Sequence, residues 1–367
     1  VEDRKMQLYK MELYKLTHKK IFLAGVVAVF GIMLLYFWCV EVGEEFAVVD
    51  GTTYTGLEAI QKNREITEEF AGIITDEKIN QIVEKYGIPS QLADNMPGWR
   101  DGNYLNNFIV RYFTDGSWEQ GVRPTELYTL GESELGIACS KYQKVPMLDY
   151  TNGWKVFVDM FNFSLMLGSV LVVCSVSIVF ADEGTTKMLP LLFTTKEGKR
   201  SDIIAKILAA FSLTLLVFIG IVIIDFLLCK ATFGFSGFDN MVAIVLSEHS
   251  REWMYMEDFS NYLMLLLAMG IQGGISLCAI TLWVSACNRS SFKAVVMASI
   301  AWVFPVLMRM LFRGMISLII YATPIFLVLN GMINDIYSYW QIILVISACI
   351  GVGCTIGGYK KYQMQNV

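Results

Sequence analysis

The chain has 367 residues, of which 55% are hydrophobic and only 17% charged, and its formal net charge is −5. An ordinary soluble domain carries about 25% charged residues, so a soluble globule of this length would lack polar cover. An acidic excess also excludes a nucleic-acid-binding surface, so no nucleic acid is expected among the partners.

Residues 1–20 come first. Leu8, Met11, Leu13, Tyr14 and Leu16 alternate there with Lys10, Lys15, Lys19 and Lys20. A basic amphipathic stretch of this kind suits a helix lying in the headgroup plane, with membrane lipid as its partner. The competing reading is a simple charge cluster that sets topology. An apolar block follows at 21–40. It is longer than a signal-peptide core and has no small-residue cleavage pattern after it, so a retained span is expected.

Residues 41–155 are polar and hold 19 Asp and Glu against 10 Lys and Arg. A segment of this size can hold a small core of its own. Helices are expected over 56–70, 75–86 and 103–113. Thr75 is placed as N-cap, Asp76 and Glu77 favour the first turn, and Gly87 is the stop. Residues 89–102 read as a Pro/Gly-rich loop. Cys139 is the one cysteine of eight outside the apolar blocks, so this segment has no internal disulfide framework.

Five further apolar blocks occupy 157–181, 207–229, 262–287, 294–311 and 342–359. About 20 residues cross the roughly 30 Å hydrocarbon layer as a helix. With flanking residues the six spans are set at 21–40, 157–181, 203–229, 262–287, 292–311 and 340–359. The stretch 315–329 is short and holds Pro324, so 312–337 is expected to be re-entrant on the outer side. The segments 1–20, 182–206, 288–293 and 360–367 carry 6, 5, 2 and 2 basic residues. The excess of Lys and Arg on one side puts both termini in the cytoplasm and 41–155 outside. The fold class expected is an all-α polytopic membrane protein with a mainly helical extracellular domain.

Catalytic chemistry is scarce. His18 and His249 are the only histidines, and no G-x-x-x-x-G-K-[ST] P-loop occurs. No catalytic residue, no metal site and no cofactor bound by this chain are expected. Asp225 and Gln272 are the candidate polar groups at membrane depth. Gly270 with Gly274, and Gly353 with Gly357, suit close helix packing, within the bundle or between subunits.

The informative stretch is 180–209. The chain is expected to leave the bilayer at Asp182, turn at Gly184 and start a short amphipathic helix near Thr185. Leu189, Leu191 and Leu192 supply apolar knobs, and Lys199 and Arg200 mark the border of the next span. A short apolar-edged helix beside the membrane suits docking into a partner's groove. An ordinary turn between spans needs only a few residues, and this segment has more than twenty.

This stretch resembles the permeases of the type-2 class of ABC exporters. The matching positions are Glu183, Gly184 and Thr185, the Leu189–Leu192 run, Thr194, Thr195 and Lys196, then Arg200 and Lys206. Gly198, Lys199 and Arg200 stand where a Pro-containing turn is commoner. The large segment between the first two spans is similar to the subgroup related to sodium-export and peptide-antibiotic-resistance permeases. The resemblance implies a coupling helix at 182–202 that docks on a cytoplasmic ATPase present in two copies, with ATP and Mg bound on that partner. Glu183, Gly184, Thr185, Lys187, Leu189, Leu191, Leu192, Thr194, Thr195 and Arg200 would make the coupling site. Glu183 would lie at the N-terminal end of the coupling helix. It further implies a second permease subunit, alike or different, and export of an amphipathic substrate. A membrane sensor whose outer domain binds a ligand is the alternative.

Overall fold

A computed structural model describes residues 2–89, 102–115, 124, 126–188, 194, 200–248, 251–314, 316–329 and 337–364. It is predominantly helical. In chain order, α1 is Glu2–Thr17 and α2 is Lys20–Tyr36, which continues as a π-helical turn over Phe37–Val42. Strands β1 (Phe46–Val49) and β2 (Thr52–Thr55) are followed by α3 (Gly56–Phe70), β3 (Gly72–Ile73), α4 (Asp76–Tyr86), α5 (Tyr104–Phe113), α6 (Glu134–Tyr142) and β4 (Met147–Leu148). Next come α7 (Asn152–Val176), α8 (Ile178–Thr185), α9 (Ser201–Thr232), α10 (Val242–Leu246) and α11 (Trp253–Met256). The chain ends with α12 (Phe259–Cys287), α13 (Ser291–Leu311), α14 (Ile316–Tyr321), α15 (Pro324–Val328) and α16 (Trp340–Gln363).

Among the described residues six helical stretches are long and apolar enough to cross a membrane: Lys20–Val42, Asn152–Thr185, Ser201–Thr232, Phe259–Cys287, Ser291–Leu311 and Tyr337–Gln363. The protein is a polytopic α-helical membrane protein. The chain divides into two compact units, one of residues 1–33, 161–224 and 265–367, the other of 34–160 and 225–264.

The first unit is a helical bundle. Gly270 and Gly274 of α12 are packing residues: a Cβ there would lie 2.8 Å from the rings of Phe161 and Phe218 respectively. Small residues let helices approach closely where lipid offers no hydrophobic drive between them. Gly353 has open space around it, and a Cβ on Gly357 would make ordinary contact with Trp283 at 3.4 Å. The stretch around Pro324 is two short helices. Pro324 opens the second at a position where its missing N–H costs no hydrogen bond.

The second unit holds the polar segment. The hairpin β1–β2 pairs Val49 with Thr52 across Asp50 and Gly51, both at positive φ. Asp-Gly meets the need of a two-residue turn for two left-handed residues. The expected helix at 75–86 is α4, where the Thr75 side chain accepts from the Lys78 N–H and Gly87 ends the helix at φ 72°. Asn103 caps α5 in a reciprocal box with Asn106. The unit is larger than 41–155. Val242, Ala243, Ile244 and Val245 of α10 are buried in it, and the Tyr112 hydroxyl donates to the Ala243 carbonyl at 2.6 Å. A five-residue apolar run is too short to cross a bilayer, and here it joins this core.

Candidate functional site

The charged centre of the bundle unit is Lys206, in the second turn of α9. Its side chain is 1% exposed. Nζ pairs with Glu183 Oε1 at 2.7 Å, with Asp202 Oδ2 one helical turn back, and with Glu12 Oε1 at 3.8 Å. The carboxylates are themselves shielded, with side-chain exposures of 12%, 8% and 11% for Glu183, Asp202 and Glu12. A lone buried ammonium would cost several kcal/mol of desolvation, and a buried pair breaks even only when its remaining hydrogen-bonding capacity is met. That capacity is met here. Tyr362, in the last turn of α16, donates its hydroxyl to Glu183 Oε2, and Lys15 Nζ lies 2.6 Å from Glu12 Oε1. The Tyr362 ring packs on Phe180 with centroids 4.4 Å apart. One lysine thus ties together α1, α8 and α9, and Glu183 brings in α16.

The helix carrying Glu183 is held at its sides. Its hydrogen-bond ladder is interrupted between α7 and α8, and the N–H groups of Phe180 and Ala181 donate to Ser285 Oγ of α12 at 3.0 and 3.2 Å. Lys19 pairs with Asp182 at 2.8 Å. Ser291, at the start of α13, donates its N–H to Thr185 Oγ1 at 3.0 Å and its hydroxyl to Asp182 Oδ1 at 3.3 Å. At Gly184 a Cβ would stand 2.6 Å from the Arg289 carbonyl oxygen. Only glycine admits the 288–290 turn so close to α8.

This arrangement corrects two expectations. The chain does not turn at Gly184: the helix runs on through Thr185, and the first left-handed residue is Lys187 at φ 57°. Glu183 is therefore in the last turn of its helix, not at an N-terminal end. The helix dipole there disfavours a carboxylate, and the Lys206 ammonium and Tyr362 hydroxyl offset it. Lys187, Thr194 and Arg200 are exposed. Leu189, Leu191, Leu192 and Thr195 lie outside the described residues, as does His249. Asp225 is fully buried, in the other unit. Gln272 donates to Ser276 Oγ at 3.3 Å, and Ser276 meets Ser347 of α16 at 2.7 Å. Glu12, Asp202 and Tyr362 were not singled out from the sequence. The i, i+4 pair Asp202–Lys206 at the mouth of an apolar span was a usable signal; Glu12 and Tyr362 gave none.

The second unit contains a cavity of about 370 Å³. The π-helical turn at 37–42 carries Glu41 into its wall, together with Glu44 and Glu45 just beyond. A Cβ on Gly43 would stand 2.5 Å from the Cys39 carbonyl, so glycine fits the end of the turn. Such wide turns are rare and recur at functional positions. Lys155 and Asp159 of α7 and Arg111 of α5 complete the charged lining. Arg111 also donates to the Ser247 carbonyl, and Asn152 donates to Glu45 Oε1.

No family model, no curated protein and no solved structure matches this chain.

Proposed function

We propose that the chain is the membrane-spanning subunit of an ATP-driven exporter in the cell membrane, with hydrolysis carried out by a separate cytoplasmic ATPase. The resemblance of 183–206 to type-2 ABC permeases motivates the reading. The observation that carries it furthest is the ion pair between Glu183 and Lys206, which ties together the helices on either side of the 186–200 segment. A push on that segment reaches α8 and α9 together, and through Glu12 and Tyr362 it reaches α1 and α16. Packed helices held by discrete ion pairs move as rigid bodies, not as a continuously deformable medium. Lys206, Glu183, Asp202 and Tyr362 are positioning residues in this scheme. On this reading both termini are cytoplasmic, α1 lies at the membrane surface, the 316–328 pair is re-entrant on the outer side, and the polar unit is extracellular. A second permease subunit completes the pore.

The test is Leu189→Ala with Leu192→Ala. Each buried leucine contributes on the order of 1–3 kcal/mol of apolar contact, so the double variant should insert normally yet lose co-purification of the ATPase and its substrate-stimulated turnover. Full association and full transport would sink the exporter reading.

The cavity favours a second reading, a membrane sensor whose polar unit binds a ligand. A sensor would bind ligand but co-purify with no ATPase.

A further inference from the structure

The apolar stretch Asn152–Thr185 is long enough to span the bilayer, yet its helix is interrupted at Ser177, between α7 and α8. No proline or glycine lies in 169–183. A break without them arises where a side chain enters the hydrogen-bond ladder. That side chain is Ser285 of α12, whose Oγ accepts from the N–H groups of both Phe180 and Ala181. The carbonyls of Val176 and Ser177 lose the donors that a continuous helix would give them. The Ser177 hydroxyl is buried and has no hydrogen-bond partner, so it does not mend the gap. Inside a bilayer a neighbouring serine is one of the few groups that can take over a freed backbone N–H.

The two sides of the break are held differently. After it, polar contacts fix α8. Glu183 is bound to Lys206 of α9 and Tyr362 of α16, Asp182 to Lys19, and Thr185 to Ser291 of α13. Before it, the contacts of α7 with its neighbours are apolar. A Cβ on Gly168 would stand 2.6 Å from Ile221 of α9, and one on Gly25 of α2 would stand 2.6 Å from Leu171. Packed apolar faces slide past one another in small shears, whereas discrete ion pairs keep their partners together as one body. A hydroxyl oxygen has two lone pairs, so Ser285 can hold both N–H groups through a modest rotation.

We propose that the α7–α8 break is a joint: α8 pivots against α7 on Ser285 Oγ while it stays fixed to α9, α13 and α16. The joint gives the exporter reading a pivot and does not depend on it.

The test uses the full chain, cysteine-free apart from the labelled sites, in phosphatidylcholine nanodiscs without any ATPase. Its outcome is therefore separate from that of the co-purification test. Nitroxide pairs report distance distributions. Val170→Cys with Thr186→Cys spans the joint at exposed positions, about 24 Å apart along a continuous helix. Leu208→Cys with Ile223→Cys, also exposed, is the matched pair within the uninterrupted α9. The pair across the joint should give a distribution at least twice as wide as the α9 pair. Ser285→Ala lets Phe180 and Ala181 return to the Val176 and Ser177 carbonyls, so the distribution should narrow to the α9 width. Ser285→Thr keeps the hydroxyl and should stay wide. Ser169→Ala removes a hydroxyl of α7 that donates to the Leu165 carbonyl at 2.8 Å, outside the break, and should also stay wide. If Ser285→Ala loses its thermal transition, the comparison of the two pairs in the unsubstituted background decides. Equal widths there, a wide distribution kept in Ser285→Ala, or narrowing in Ser169→Ala would each overturn the joint.

Discussion

Lys206 Nζ stands 2.7 Å from Glu183 Oε1, so the helices on either side of the 186–200 segment are joined by one buried ion pair. The pair is strong only as a set. Removing the lysine leaves Glu183 and Asp202 as like charges in a dry site. Breaking a buried pair from one side costs about 3–5 kcal/mol, whereas replacing all members with neutral groups of similar volume is often nearly neutral. Lys206→Ala should therefore lower thermal stability markedly in nanodiscs. Lys206→Met with Glu183→Gln and Asp202→Asn should recover most of the loss. An unchanged melting temperature in Lys206→Ala would mean that the node contributes nothing to the fold.

Tyr362 gives a milder probe of the same node. Tyr362→Phe keeps the ring against Phe180 and removes only the hydroxyl that donates to Glu183. A hydrogen bond to a charged group contributes about 1.5–3 kcal/mol. The variant should melt lower than wild type by an amount smaller than that for Lys206→Ala. A loss larger than for Lys206→Ala would place the hydroxyl, and not the lysine, at the centre of the network.

The six apolar helices follow from block length alone, and α4 follows from Thr75 and Gly87, because caps act within one turn. Asp50-Gly51 is itself a two-residue turn signal, matched by the β1–β2 hairpin. Glu183 and Tyr362 are 179 positions apart, and no local pattern links them; only the packing of α8 against the end of α16 does. Residues 242–246 carry no decisive signal, because a short apolar run is silent on whether it meets lipid, core or water.

Cys139 lies in the polar unit, buried, with Sγ 4.0 Å from the Met241 sulfur. Burial pushes its thiol up to about 11. The thiolate is the reactive form, so alkylation at neutral pH should be slow and should quicken about tenfold per pH unit while the pH stays below about 11. The raised value disfavours the thiolate in the folded state, so deprotonation works against folding above the ordinary thiol range. A single-cysteine chain retaining Cys139 should react with maleimide at pH 7.5 only after denaturation. Rapid labelling of the folded chain would show that the α6 face is open.

Topology is tested by cysteines at exposed positions in an otherwise cysteine-free chain. If the excess of Lys and Arg sets orientation, Lys10→Cys, Thr194→Cys and Met364→Cys should be shielded from an impermeant reagent in intact cells. Glu58→Cys should label freely. Labelling of Met364→Cys from outside would require an odd number of crossings.

Gly184 sets two effects of known size against each other. It lies within α8, and alanine is favoured over glycine in a helix by about 1 kcal/mol. The added Cβ, however, would stand 2.6 Å from the Arg289 carbonyl oxygen and 3.0 Å from its Cα. Those are backbone atoms of a short turn between α12 and α13, not the far end of a flexible side chain. Forcing extra volume into such a contact costs about 1–3 kcal/mol, so the clash outweighs the propensity gain. Gly184→Ala should destabilise the chain and loosen the Thr185–Ser291 contact beside it. Gly220 in α9 is the matched control, since a Cβ there meets nothing within 4 Å. Gly220→Ala should be neutral or stabilising by up to about 1 kcal/mol. If thermal unfolding places Gly184→Ala above wild type, α8 does not sit against the 288–290 turn.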